Sequence, residues 1–171
     1  MIYRQQLFLR LILALVIAFS YKVIYLIIAP MTFYFSYLML KPFYHPEILE
    51  GAMRVDSTIL NFVPACYALL AYLLLALLIV FTKDIGLVKG IKMFVLGSFI
   101  ILVANLIRIF IIVFVLIEKG VNYFNTLHLV TWKIISTIFV VVLWIWLGKE
   151  FKVKTIPVYS DLKALISKMK D

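Results

Sequence analysis

Long apolar runs separated by short polar interruptions dominate the pattern along the chain, at lengths that fit membrane helices better than strands or soluble amphipathic helices. The first run extends from Leu7 to Leu40 and is interrupted by Lys22 and Pro30. It predicts a span over Leu7 to Ala29 followed by a broken or re-entrant piece. Later runs predict spans over Phe62 to Phe81, Ile91 to Ile117 and Leu129 to Leu147, each near the about 20 residues that cover a hydrocarbon core about 30 Å thick. Lys41 to Asn61 is the one long polar stretch between spans, and with Pro42, Pro46 and Gly51 it reads as an outer loop. Beyond Gly148 the tail is rich in lysine. From Val158 to Met169 it spaces Leu162, Leu165, Ile166 and Met169 at helical intervals, as a helix lying on a membrane surface would. The pattern predicts an all-α integral membrane protein, a bundle of four to five transmembrane helices over residues 1–148, followed by a basic, amphipathic cytoplasmic tail over residues 149–171.

Composition agrees with that solvent. Hydrophobic residues make up 66% of the 171 positions, against roughly 45–50% in a soluble domain, and mean hydropathy is +1.15. The net charge of +9 could point to nucleic acid, but the lysines gather in short segments flanking apolar runs, so the charge reads as a topology signal. Arg4 and Arg10, the segment from Lys83 to Lys92 and the lysines of the tail share one side. Lys41, Arg54 and Lys119 hold the other. Both termini are therefore expected in the cytoplasm of a multi-pass plasma-membrane protein, with the loops around Glu47 and Asn122 outside. The run from Leu7 lacks a small-residue cleavage site and is too long for a signal peptide, so it is expected to remain as the first span. One cysteine excludes an internal disulfide and a thiolate-rich metal site, and two histidines without H-E-x-x-H exclude a zinc-protease arrangement. No metal and no cofactor is expected.

Polar residues inside apolar runs carry the candidate chemistry. Arg108 sits within the third predicted span, roughly 24 Å from its inner edge near Lys92 at about 1.5 Å per residue, hence in the outer leaflet. Gly97, Ser98, Ala104, Asn105 and Arg108 share one helix face, a small and polar seam suited to face protein. Cys66 enters from the opposite end of the second span, roughly 6 Å deep. Pro64 is placed to start that helix, whose positive end and a nearby guanidinium would favour thiolate. His128 opens the last span from the same outer side. Taken singly, a membrane cysteine packs as a small apolar residue and an interfacial histidine sits among headgroups. A shared depth of thiol, guanidinium and imidazole instead fits acyl transfer: Cys66 as nucleophile, Arg108 at the oxyanion or thiolate, His128 moving the proton, and Asn105 orienting the guanidinium or adding a donor. Lys22 and Lys133 are assigned to snorkelling. His45 lies in a loop between prolines, and Arg54 and Asp56 are candidate substrate contacts.

At these residues the chain resembles the exosortase and archaeosortase family, membrane transpeptidases whose pattern is a Cys at the start of one span, an Asn-x-x-Arg in the next and a His or Arg opening a later one. Here the elements read Pro64-Ala65-Cys66, Asn105-Leu106-Ile107-Arg108 and Leu127-His128, within about Asn61 to Leu147. The length is closest to short archaeal-type members. Tyr67 and Ala68 follow the cysteine where small residues and often Gly are usual, and no Gly closely follows His128. The resemblance implies a catalytic core over about 61–147. It also implies precursor proteins as partners, each ending in a short motif, a transmembrane helix and a basic tail, with a membrane lipid as possible acceptor of the new C-terminus and no nucleic acid. The alternative is a non-enzymatic membrane subunit, a transporter partner or anionic-ligand binder, with Arg108 as ligand site.

Overall fold

Because apolar residues fill every run, the few residues that interrupt backbone hydrogen bonding divide this chain into elements. The computed structural model describes residues 3–82 and 85–153. Helix α1 (Tyr3–Phe19) ends where the Ser20 hydroxyl donates to the Val16 carbonyl at 2.7 Å and the Ser20 backbone leaves helical geometry. Helix α2 (Tyr21–Leu40) follows directly and carries Pro30 inside it. The break expected at Pro30 therefore falls at Ser20, where a hydroxyl competes for a helix carbonyl.

The expected outer loop folds as an antiparallel meander of β1 (Pro46–Leu49), β2 (Ala52–Val55) and β3 (Thr58–Asn61). Two-residue links join Leu49 to Ala52 and Val55 to Thr58. They turn through left-handed backbone at Gly51 (φ 68°) and Asp56 (φ 52°), residue types that tolerate it. Met53 and Val55 are buried against Leu40 of α2 and against Ile109 and Val113 of helix α4 (Leu87–Lys119), so the sheet packs on the end of α2 and on the C-terminal half of α4. After β3 come a 3-10 turn (Pro64–Tyr67), a left-handed residue at Ala68 and helix α3 (Leu69–Phe81). Beyond α4 lie α5 (Val121–Val130), a π turn (Thr131–Ile135) and α6 (Ser136–Glu150).

The central core joins Tyr72, Leu75 and Ile79 of α3 to Met93 and Ile101 of α4 and to Val140, Leu143 and Leu147 of α6. Gly97 sets the closeness of that packing. A Cβ there would lie 2.5 Å from a Leu75 methyl and 3.0 Å from one of Leu147.

The expected all-α bundle of four to five transmembrane helices is overturned on two counts. The sheet makes the fold not all-α, and among the described residues only α2 and α4 are long and apolar enough to cross a membrane. The predicted second span starts in extended chain and a 3-10 turn, which leaves α3 with 13 residues. The predicted fourth is divided by the π turn, which leaves α6 with 15. Hydropathy records how far an apolar run extends, whereas helix length depends on where main-chain hydrogen bonding changes partner. The predicted amphipathic helix from Val158 to Met169 and the lysine at 83 lie outside the described residues.

Candidate functional site

Asn105 and Arg108 are neighbours on one face of α4, and both reach across to the 3-10 turn. Asn105 Nδ2 donates to the Cys66 carbonyl at 2.8 Å, and Arg108 Nη2 donates to the Ala65 carbonyl at 2.9 Å. A four-residue turn followed by a left-handed residue cannot satisfy its own carbonyls as a continuing helix does. Two α4 side chains do so instead, fixing the backbone around the sulfur, while the Cys66 amide donates to the Val63 carbonyl at 2.8 Å. The small and polar seam of α4 faces protein here: Asn105 is only 4% exposed, and Gly97 lies against α3 and α6.

The expectation that Cys66 occupies the first turn of a long helix is corrected. Pro64 starts a turn of four residues, and α3 begins only at Leu69, after Ala68 with φ 52° and ψ 32°. Cys66 therefore precedes α3 and is not part of its first turn. Burial instead pushes the Cys66 thiol up, and the Val63 backbone and the Arg108 guanidinium pull it back only in part. Beside it, burial and then the Tyr25 and Cys66 side chains push the Tyr67 phenol up to about 12. The Tyr67 ring meets Tyr25 edge-on at 5.6 Å between centroids.

Among the described residues, three buried polar atoms here have no hydrogen-bond partner: Arg108 Nε, Arg108 Nη1 and Asn105 Oδ1. Such atoms are rare in native proteins. Asn105 and Arg108 border a cavity of about 280 Å³ whose other walls include Ala68, Ala71, Ile101, Ala104, Thr131, Ser136 and Phe139. Cys66 adjoins this wall through its backbone and is not itself among the lining residues.

His128 occupies the last turn of α5 and stacks on Phe124 at 5.6 Å between ring centroids. Burial, and after it the charge of Arg108, hold its imidazole below the ordinary value. Among the described residues its ring makes no hydrogen bond to Cys66 or Arg108. The structure therefore ties Asn105 to the Cys66 backbone and Arg108 to the neighbouring Ala65 backbone, and brings His128 within range of the Arg108 charge. Arg54 lies away from them on the sheet, where Nη1 pairs with Glu47 at 3.0 Å, and Asp56 forms the link between β2 and β3.

Sequence reasoning missed Thr131, Ser136 and the π turn they bound. The Thr131 hydroxyl donates to the His128 carbonyl at 3.1 Å, and the Ser136 hydroxyl donates to the Thr131 carbonyl at 2.8 Å. Three hydroxyl residues, Thr131, Ser136 and Thr137, within the apolar run from Leu129 were the available signal. No group of three or more His, Cys, Asp or Glu side chains among the described residues is placed to hold a metal ion. No protein-family model, no curated protein and no solved structure matches this chain.

Proposed function

We propose that this chain is a membrane cysteine peptidase and transpeptidase of the exosortase and archaeosortase type, which cleaves the C-terminal sorting signal of secreted precursors and transfers the new carboxyl end to a lipid or other surface anchor. The observation that carries the reading is the clamp on Cys66: Asn105 and Arg108 hold the carbonyls of Cys66 and Ala65, and two buried guanidinium nitrogens have no partner among the described residues. Those donors suit a carbonyl oxygen that gains negative charge. In the reaction the Cys66 sulfur adds to the scissile carbonyl while a neutral His128 takes the thiol proton. The C–N bond then breaks, the amine leaves with that proton, and a thioester remains. An incoming amine, hydroxyl or water gives its proton to His128 as it attacks, the S–C bond breaks, and the sulfur recovers the proton.

The proposed setting is the plasma membrane, with Cys66 toward the outer face. Only 22% and 33% of the apolar windows of α2 and α4 are buried, whereas a core helix of a soluble protein is mostly buried. Phe19, Leu26, Val95 and Phe99 are exposed, a pattern that favours lipid as the neighbouring phase. The excess of Lys and Arg on the side of the α3 to α4 link supports the orientation.

Co-expression with a precursor that ends in a short motif, an apolar helix and a basic tail tests the assignment. Cys66→Ala and Cys66→Ser are expected to abolish its processing, and unchanged processing refutes the nucleophile. A second reading, a non-enzymatic binder of an anionic ligand, is favoured by one observation: Arg108 and Asn105 line the cavity and Cys66 does not. It expects Cys66→Ala to be silent and Arg108→Ala to abolish ligand binding.

A further inference from the structure

The two edges of the sheet are built differently. In a two-residue hairpin the closing pair is hydrogen-bonded and pairing alternates from there. Thr58 opposite Val55 and Leu60 opposite Met53 therefore bond to β2, while Ile59 opposite Arg54 and Asn61 opposite Ala52 do not. The Phe62 amide, which reaches the Gly51 carbonyl at 3.5 Å, continues that alternation. Ile59 and Asn61 thus turn both N–H and C=O toward the open side of β3. At the opposite edge β1 carries Pro46, which has no N–H, and the charged Glu47, two devices that blunt an edge against pairing. β3 reads Thr58-Ile59-Leu60-Asn61, with neither device, and Ile59 is 54% exposed.

We propose that the open edge of β3 binds an extended peptide segment by strand addition and leads it to Cys66. Main-chain hydrogen bonds to Ile59 and Asn61 supply the binding, with the sheet as template. The strand exits straight into the 3-10 turn that carries the sulfur: the Phe62 carbonyl accepts from the Tyr67 hydroxyl at 3.5 Å, and the two rings lie 6.1 Å apart. A peptide on this edge is held in the extended form that presents each carbonyl to an attacking group. Its delivery to Cys66 rests on the peptide-cleaving reading above, whereas the edge itself does not.

Fluorescence anisotropy tests the edge, using the purified full-length protein in detergent and a fluorescein-labelled hexapeptide of alternating Thr and Val. Saturable binding is expected, and the same peptide N-methylated throughout, more apolar but without amide donors, is expected to bind at least about tenfold more weakly. Ile59→Pro removes the outward N–H without breaking the ladder to β2 and is expected to weaken binding to a similar degree, while Ile59→Thr retains it. Equal binding of the two peptides, or no binding of either, overturns the proposal. So does an Ile59→Pro variant that lowers the oligomeric mass and leaves peptide binding intact, since the edge then belongs to a second copy of the chain. Processing assays separate the two readings: binding as expected with processing that ignores Cys66 sinks the catalytic assignment alone, and Cys66-dependent processing without peptide binding sinks the edge alone.

Discussion

At the scale of single residues, the sulfur of Cys66 and the two side chains that hold its backbone respond to different measurements. A thiol pushed up by burial holds less thiolate at neutral pH than a free cysteine, so iodoacetamide should label Cys66 slowly at neutral pH and keep accelerating above the usual thiol range. The Arg108 charge lowers that value, so Arg108→Gln raises it further and slows labelling at a given pH. A labelling profile that levels off below the range of a free thiol contradicts this. The imidazole moves the other way: held below its ordinary value, His128 stays neutral and able to accept a proton into more acidic solution than a free histidine. The acidic limb of the pH profile for precursor processing is accordingly expected below the free-histidine range. Asn105→Leu strips the Cys66 carbonyl of its partner, which costs about 1–3 kcal/mol for an unsatisfied buried acceptor. Thermal unfolding in detergent reads that loss, and Asn105→Asp, which removes the donating NH₂, should not restore it.

At the scale of elements, packing depends on places where a side chain is missing or a backbone bends. Gly97 lets α4 approach α3 and α6, and both atoms that a new Cβ would meet are methyls of fully buried leucines. Gly97→Ala should cost about 1–3 kcal/mol by overpacking. Gly90→Ala, whose nearest contacts are ordinary at 3.4 Å, should be close to neutral. Equal unfolding temperatures for the two variants refute the close approach. The same contrast explains how much was readable beforehand. The polar seam of α4 could be read because Gly97, Asn105 and Arg108 recur at helical spacing, and the thiol was singled out because its type is rare in this chain. The meander was not read, since strands of four residues alternate too briefly for periodicity to register and their turns rest on φ at Gly51 and Asp56. The left-handed Ala68 was equally hidden. It converts a helix start into a separate 3-10 turn, and nothing in the identity of an alanine announces that geometry.

At the scale of the whole molecule, the distribution of charge and exposed apolar surface makes a claim about sidedness that two engineered thiols decide. The sheet sits by the end of α2 and the C-terminal half of α4, where the 3-10 turn carries Cys66, while Gly86 and Lys89 lie at the N-terminal end of α4. If lipid surrounds the exposed faces of those two helices, the two ends meet different aqueous phases, and the basic residues concentrated at the far end keep it in the cytoplasm. In a Cys66→Ala background, a cysteine at Ser57 in the β2 to β3 link should react with a membrane-impermeant maleimide on intact cells. A cysteine at Gly86 should react only after permeabilisation. Labelling of both positions on intact cells, or recovery of the protein in the soluble fraction after alkaline carbonate extraction, removes the membrane setting. The proposed role of the clamp on Cys66 falls with it, because Arg108 Nε and Nη1 would then face no extracytoplasmic substrate. The reverse pattern, Gly86 outside and Ser57 inside, leaves the clamp intact but turns it toward the cytoplasm, where a secreted precursor could not present its signal after export.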